Sequence, residues 1–258
     1  MELCVRTLWL PKAGNSHEEY EDAFSPCRDG SIDGRMLKLA VADGSSEGIL
    51  SGTWAQILVR SFCRSSSLSQ GGELPFVEKA YRWWARWKKK YISCRQKRNR
   101  PIQWYEEPWL EIGAFSTVLG LILVPDRWTA VAVGDTCLFQ VRREGLLAVF
   151  PLEYSADFGN APFLLCSNRS RNAKALHNAR TMEGEWQVGD TFYLMTDALA
   201  RWFLGDYEAE HAPWSVLRGF GTTDESESFE EWIGHLREQR HLRNDDVTFM
   251  RIDIVRGA

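Results

Sequence analysis

Residues 36–44, MLKLAVADG, decide the reading of this chain. Apolar residues run from Met36 to Ala42, interrupted only by Lys38, and stop abruptly at Asp43-Gly44. This is the pattern of a buried strand running into a turn. Downstream, Leu50, Trp54, Ile57, Leu58 and Phe62 recur at helical spacing and predict a helix over 49–63. SSSLSQGGELP, at 65–75, reads as a loop. A second helix is predicted over 76–98, where Phe76, Ala80, Trp84, Trp87, Tyr91 and Cys94 form one apolar stripe, with Pro101 marking its end. The two helices should form a hairpin with Trp84 and Trp87 mostly buried.

Strand signals follow. GAFSTVLGLILV, RWTAVAVGD and CLFQVRR read as successive strands, with Pro125-Asp126 and Gly134-Asp135 as turns. Residues 153–184 are irregular and polar and predict a long surface excursion, the candidate for a flap. FYLMTD (192–197) is another buried strand ending in Asp. ALARWFL and FEEWIGHL predict short helices, and DVTFMRIDIV a closing strand. No internal repeat is present. The element order fits one α+β domain over 1–258, a sheet-on-sheet core flanked by helices.

Composition bounds the function. A chain of 258 residues with 44% hydrophobic and 26% charged residues is ordinary for a soluble domain. A net charge of −4 argues against nucleic acid as a partner of the whole molecule. Nine basic residues between Arg82 and Arg100, with no acid among them and Trp83, Trp84 and Trp87 interleaved, read best as a solvated helix face, with a surface for an acidic protein or phosphopeptide partner as the alternative. The acidic stretch from Asp224 to Glu231 suits a helix N-terminus. No segment has the roughly 20 apolar residues of a membrane span, and the N-terminus lacks a signal-peptide pattern. The six cysteines are scattered, with neither CxxC pairs nor metal-ligand spacing, as expected of reduced thiols in the cytoplasm.

The chemistry is carried by aspartates at strand ends. Asp43, Asp135 and Asp197 each follow an apolar run, and Asp245-Asp246 precede one. Strand-to-turn junctions favour Asp through local hydrogen bonds, so any one of them has an ordinary explanation. Four at strand ends beside a core would repel one another unless paired or metal-bound, and hard divalent cations prefer such oxygen ligands.

YEDAF (20–24), VADGSSEG (41–48), GAFST (113–117), AVGDT (132–136), LMTDAL (194–199) and NDDVT (244–248) together resemble the ordered motif set of the type 2C metal-dependent Ser/Thr protein phosphatases, bacterial members in particular. Each motif alone is weak; their order and separation match over nearly the whole chain. The resemblance implies a four-layer β-sandwich, two antiparallel sheets flanked by helices. It implies hydrolysis of Ser/Thr phosphate monoesters by water activated between two Mn²⁺ or Mg²⁺ ions. Asp43 resembles the aspartate bridging both ions, and Gly44 the glycine whose carbonyl binds the second. Asp197 and Asp245 resemble the remaining ligands of the first. Glu21 resembles the acid acting on the second through water, and Asp22 its outer-shell neighbour. Asp135 resembles the residue that, with Asp197, can hold a third ion. The implied partner is a phosphoprotein, in signalling opposed by a Ser/Thr kinase, with no nucleic acid and no membrane.

The pattern departs from the family at several points. His17 stands where an arginine ordinarily grips the substrate phosphate, which makes His17, or Lys12 from the same loop, the candidate phosphate contact. Ser45 stands where some members carry a histidine proposed as general acid. Residues 45–48 lack the usual paired glycines, Ala198 replaces a glycine, and Asp246 stands where Asn is common. Two rival readings follow: an impaired pseudophosphatase acting as a binding module, and a hydrolase of the same fold acting on a small phosphorylated metabolite.

Overall fold

The computed structural model describes every residue except 28, 46, 47, 49, 66–73, 160, 221–224, 257 and 258, and describes the backbone alone at 225–227. Strand β1 (Glu2–Leu10) is followed by β2 (Ala23–Ser25), β3 (Gly30–Asp33) and β4 (Leu37–Ala42). Helices α1 (Ser51–Cys63), α2 (Pro75–Lys97) and α3 (Glu107–Ile112) come next. A run of strands follows: β5 (Phe115–Ser116), β6 (Val118–Val124), β7 (Arg127–Val133), β8 (Cys137–Arg142), β9 (Gly145–Phe150) and β10 (Leu165–Cys166). The chain ends through α4 (Ala173–His177), β11 (Arg180–Glu185), β12 (Asp190–Met195), α5 (Asp197–Glu208), α6 (Pro213–Gly219), α7 (Glu225–Glu238) and β13 (Val247–Arg256).

All strand pairs are antiparallel. One sheet has the order β3-β1-β13-β12-β8-β9, the second β11-β7-β6-β4-β2, and β10-β5 form a small third. The continuous apolar strands are explained by their two covered faces. In β4, Leu39 and Val41 point between the large sheets, while Ala40 and Ala42 point toward α1 and α2. In β12, Phe192 and Leu194 face the gap, while Tyr193 and Met195 meet α5, α6 and α7. Helix pair, sheet, sheet and helices form four layers, the architecture expected from the sequence. Each fully buried Leu or Phe in them contributes on the order of 1.5–3 kcal/mol.

The helical hairpin forms as expected, although residues 66–73 of its loop lie outside the described residues. Trp84 is buried and packs edge-on to Trp54 at 5.7 Å. Trp87 is only half-buried, stacked between Trp84 and Tyr91. Arg82, Arg86, Lys89 and Lys90 are exposed, as a solvated face requires. Helix α7 begins at Glu225, inside the acidic stretch; Asp224 lies outside the described residues.

The expected excursion over 153–184 is partly regular. Its end, Arg180–Glu185, is the edge strand β11, paired with β7 from Arg180↔Ala132 to Glu185↔Arg127. The sequence RTMEGE has an exposed edge strand's composition, so its hydrophobic signal is weak. All six cysteines are free. Among the described residues, no helix is long and apolar enough to cross a membrane.

Candidate metal centre

Topology alone brings the aspartates to one end of the sandwich. β4 and β7 each pair antiparallel with β6, so both run the same way and finish at one edge. There they release Asp43 and, after the Gly134 turn, Asp135. In the other sheet β12 pairs antiparallel with β13, so the end of one adjoins the start of the other. Asp197 and Asp245 come from that junction. Asp43, Asp135, Asp197 and Asp245 all line one cavity of about 370 Å³. Gly159, Ala161, Pro162 and Leu164, from the excursion proposed as a flap, line it too.

The motif residues hold these carboxylates by backbone bonds. Thr117 N–H donates to the Asp43 carbonyl at 2.8 Å, and Asp43 N–H donates to Thr117 Oγ1 at 3.0 Å. Ser116 Oγ donates to the same carbonyl at 2.8 Å. Thr117 Oγ1 also contacts Thr136 Oγ1 at 2.6 Å, which ties the Asp43 strand end to the Asp135 turn. Across the site, Thr248 N–H donates to Thr196 Oγ1 at 2.9 Å and Thr248 Oγ1 donates to Asp22 Oδ2 at 2.6 Å. Two glycines are required sterically. A Cβ at Gly44 would stand 2.5 Å from the Glu21 carbonyl oxygen. Gly134 has φ +103°, and its Cβ would stand 2.5 Å from Thr117 Cγ2.

The electrostatics are those of crowded acids. Burial, then the charges of Asp22, Asp197, Asp135 and Asp245, raises Asp43 well above the usual carboxylate range. Burial raises Asp22 well above it too, against the opposing Thr248 hydrogen bond. Asp135 is pushed up to about 7 by burial and then by Asp197. Asp197 is pushed up to about 6 by burial and then by Asp245. Asp22 Oδ1 and Asp135 Oδ1 are buried without a hydrogen-bond partner. Buried carboxylates with orphaned oxygens fit a hard divalent cation, which would neutralise the charge and occupy the lone pairs. Among the described residues, no three His, Cys, Asp or Glu side chains close into a ready-made metal cage. Mutual repulsion of unneutralised carboxylates favours such an open arrangement.

The remaining expected site residues are placed as follows. Gly44 lines the carboxylate cavity. Glu21 and Asp22 line a neighbouring cavity of about 710 Å³, to which Lys12 also contributes. His17 is exposed, its ring edge-on to Trp9 at 5.2 Å, and is not among the residues lining either cavity. The cation lining the carboxylate cavity is instead Arg243, with Nη1 3.6 Å from Asp197 Oδ2. Of residues 45–48, Ser46 and Glu47 lie outside the described residues.

Several roles are not visible in the sequence. Asp246 accepts from Lys12 N–H at 2.8 Å and from Glu21 N–H at 2.7 Å, clamping the loop of the first motif to the start of β13. Both carboxylate oxygens are used, which an Asn could not reproduce. Arg237 of α7 donates to the Asp245 carbonyl at 2.6 Å. Arg243 stands two residues before Asp245, and its nearness to the motif was the available signal.

The model of the protein phosphatase 2C family (PP2C_2) matches residues 14–245. No curated protein sequence matches the chain. Among solved structures, it is similar to the Mycobacterium tuberculosis serine/threonine phosphatase PstP/Ppp, with TM-score 0.57 and 16% identity over 99% of this chain and 100% of that one. The catalytic domain of PstP in complex with two manganese ions gives TM-score 0.53 and 18% identity, over 98% and 100% of the two chains. The photosystem II phosphatase PBCP gives TM-score 0.56 and 16% identity over 98% of each. At these identities the structural likeness carries the fold, and the family rests on the sequence match across most of the chain. This chain belongs to the protein phosphatase 2C family.

Proposed function

We propose that the chain is a single catalytic domain that hydrolyses Ser/Thr phosphate monoesters of proteins with Mn²⁺ or Mg²⁺, in cytoplasmic bacterial signalling opposed by a Ser/Thr kinase. The observation that carries this reading is the convergence of Asp43, Asp135, Asp197 and Asp245 on one cavity, with two buried carboxylate oxygens left unpartnered nearby. Asp43, Asp197, Asp245 and the Gly44 carbonyl would hold two ions, with Glu21 and Asp22 acting behind them and Asp135 available to a third. Bound there, divalent ions supply a water of lowered pKa and neutralise phosphate charge.

The chain's own groups do the rest. Thr117 and Ser116 fix the main chain of Asp43 so that its carboxylate is preoriented. Arg237 fixes the main chain of Asp245. Arg243 presents a guanidinium suited to a phosphate oxygen pair, and takes the phosphate-gripping role that the sequence suggested for His17 or Lys12. Pro162 and Leu164 give the cavity an apolar wall that limits water. Turnover of an aryl phosphate and of a phosphothreonine peptide with Mn²⁺, its abolition by EDTA and its indifference to thiol alkylation test the reading. Turnover that persists after complete metal removal excludes it.

A second reading is favoured by His17, which stands at the family's arginine position and is exposed outside both cavities. In it the chain is an impaired pseudophosphatase that binds without turning over. Absence of turnover with saturating Mn²⁺ would select it.

A further inference from the structure

Beside the carboxylate cavity lies a second cavity of about 720 Å³. One wall is helix α5, which presents Ala198, Arg201, Trp202 and Gly205, all on one helical face. The other wall is the end of α7 and the loop leading to Asp245. Together they bring Arg201, Arg237, Arg240, Arg243, His211 and His241 around one groove. Asp206 is the one acid among the described residues lining it, and its Oδ1 is 2.9 Å from His211 Nδ1. Glu208, at the end of α5, lies at the rim, where the N–H and Oγ–H of the groove-lining Ser155 bind its two oxygens at 2.7 and 2.5 Å and partly offset its charge. In a chain of net charge −4, such a concentration of guanidinium groups is a departure from the average surface.

A further observation ties the groove to the reaction site: Arg243 lines both cavities, so they meet at that side chain. Arg240, just past the end of α7, is exposed.

We propose that the groove between α5 and the 239–244 loop binds the acidic segment that flanks the phosphorylated residue of the protein substrate. Resting on the phosphatase reading above, this names its substrate class: phosphoproteins with Asp or Glu close to the phosphoresidue. With the phosphate at the carboxylate cavity beside Arg243, an extended peptide advances about 3.3 Å per residue. The next few side chains therefore pass Arg201 and Arg240. The apolar floor at Trp202 accepts the aliphatic portions of such a segment.

The test uses the full chain. Phosphothreonine peptides with four acidic residues before the phosphoresidue, four after it, or neutral flanks are compared by kcat/KM with Mn²⁺. An acidic flank on one side should raise kcat/KM about fivefold over neutral, the size of two partly exposed ion pairs. The advantage should disappear in Arg201→Gln/Arg240→Gln and fade between low and high salt in the unaltered protein. Binding of the unphosphorylated acidic peptide, followed by fluorescence anisotropy in EDTA, should weaken by a similar factor in the double variant. Equal kcat/KM for all three peptides, or an acidic preference retained in the double variant, overturns the proposal. So does equal binding of a single-stranded DNA of matched charge, which would make the groove a site for nucleic acid or for polyanions at large. If no phosphate ester is turned over, the phosphatase reading fails, and the anisotropy arm still decides the groove.

Discussion

Asp135→Asn should make the metal-free protein more stable, and only where Asp135 would otherwise be ionised. Its carboxyl is 5% exposed, Oδ1 has no hydrogen-bond partner, and burial followed by the charge of Asp197 moves its pKa from 3.8 to about 7. The folded chain therefore holds this proton more tightly than the unfolded chain. The stability it contributes is greatest below the unfolded value of 3.8 and is lost as pH rises toward 7. At about 1.4 kcal/mol per pKa unit, the full penalty above pH 7 is about 4 kcal/mol. Neighbouring aspartates share the protonation, so about half of that, roughly 2 kcal/mol, is the expected gain from neutralising one member. For a domain of this size that raises Tm by about 4–8 °C. The assay is thermal unfolding in EDTA at about pH 4.5, near the lower end of the window, and at about pH 7.5, above it. Asp135→Asn should exceed the unaltered protein at the higher pH and nearly match it at the lower. Added Mn²⁺ should narrow the difference by stabilising the unaltered protein more. A variant that is less stable at pH 7.5, or equally stabilised at both pH values, would refute the account of the site as crowded, uncompensated carboxylates.

Other substitutions separate the roles assigned here. Asp43→Asn should lower kcat on an aryl phosphate by at least about a hundredfold, since changes even behind a metal ligand cost 10–100-fold; kcat within a few fold of the original would remove Asp43 from the centre. Arg243→Ala should raise KM by about tenfold, the value of one charged hydrogen bond, whereas His17→Ala should leave KM within about twofold. The reverse pattern would return the phosphate contact to His17. Asp246→Asn gives up one acceptor for the Lys12 and Glu21 N–H groups and should cost about 1–3 kcal/mol in denaturant unfolding; an unchanged midpoint would show that the clamp contributes nothing.

The strands nearest the site were the most legible in the sequence, because covering on both faces turns them into unbroken apolar runs. LAVA before Asp43 and FYLM before Asp197 are such runs, and each is buried. The helical hairpin was legible because Trp54, Phe76 and Trp84 repeat at its period. β1 was not recognised, since ELCVRTLWL buries only Leu3 and Cys4's neighbour Val5 while the rest is half-exposed. β11 is equally hard to read, since RTMEGE has no buried residue and is mostly exposed. At the site, local motifs marked the aspartates, but they could not show partners distant in sequence. Asp246 reaches Lys12 across 234 positions. Arg237 looks like an ordinary helix residue until the end of α7 is laid against the start of β13. For His17 the motif position points to the phosphate, while the structure places the ring against Trp9, which lines the Glu21–Asp22 cavity, and outside the lining itself.

The acid cavity and the basic groove answer the same electrostatic problem. Carboxylates gathered from four strand ends destabilise the fold unless cations stand near, and metal ions are exchangeable. Arginines fixed in the covalent chain are not. Arg243 at 3.6 Å from Asp197, and Arg237 on the main chain of Asp245, bring lasting positive charge to the rim without filling the cavity. A guanidinium cannot supply a water of neutral pKa, so it moderates the repulsion while leaving the chemistry to a metal. Arg243 also lines the groove proposed to receive the acidic substrate segment. Removing such an arginine should therefore act in two directions. It should weaken the approach of an acidic phosphopeptide, and it should raise the carboxyl pKa values further. In the metal-free protein Arg243→Ala should raise the carboxyl titrations of Asp135 and Asp197, followed by carbon NMR in EDTA, because Arg243 lowers both. Arg240→Gln, farther along the groove, should leave those titrations in place while reducing the acidic preference. Identical carboxyl titrations in Arg243→Ala and the unaltered protein would uncouple the two surfaces and leave Arg243 a substrate contact alone.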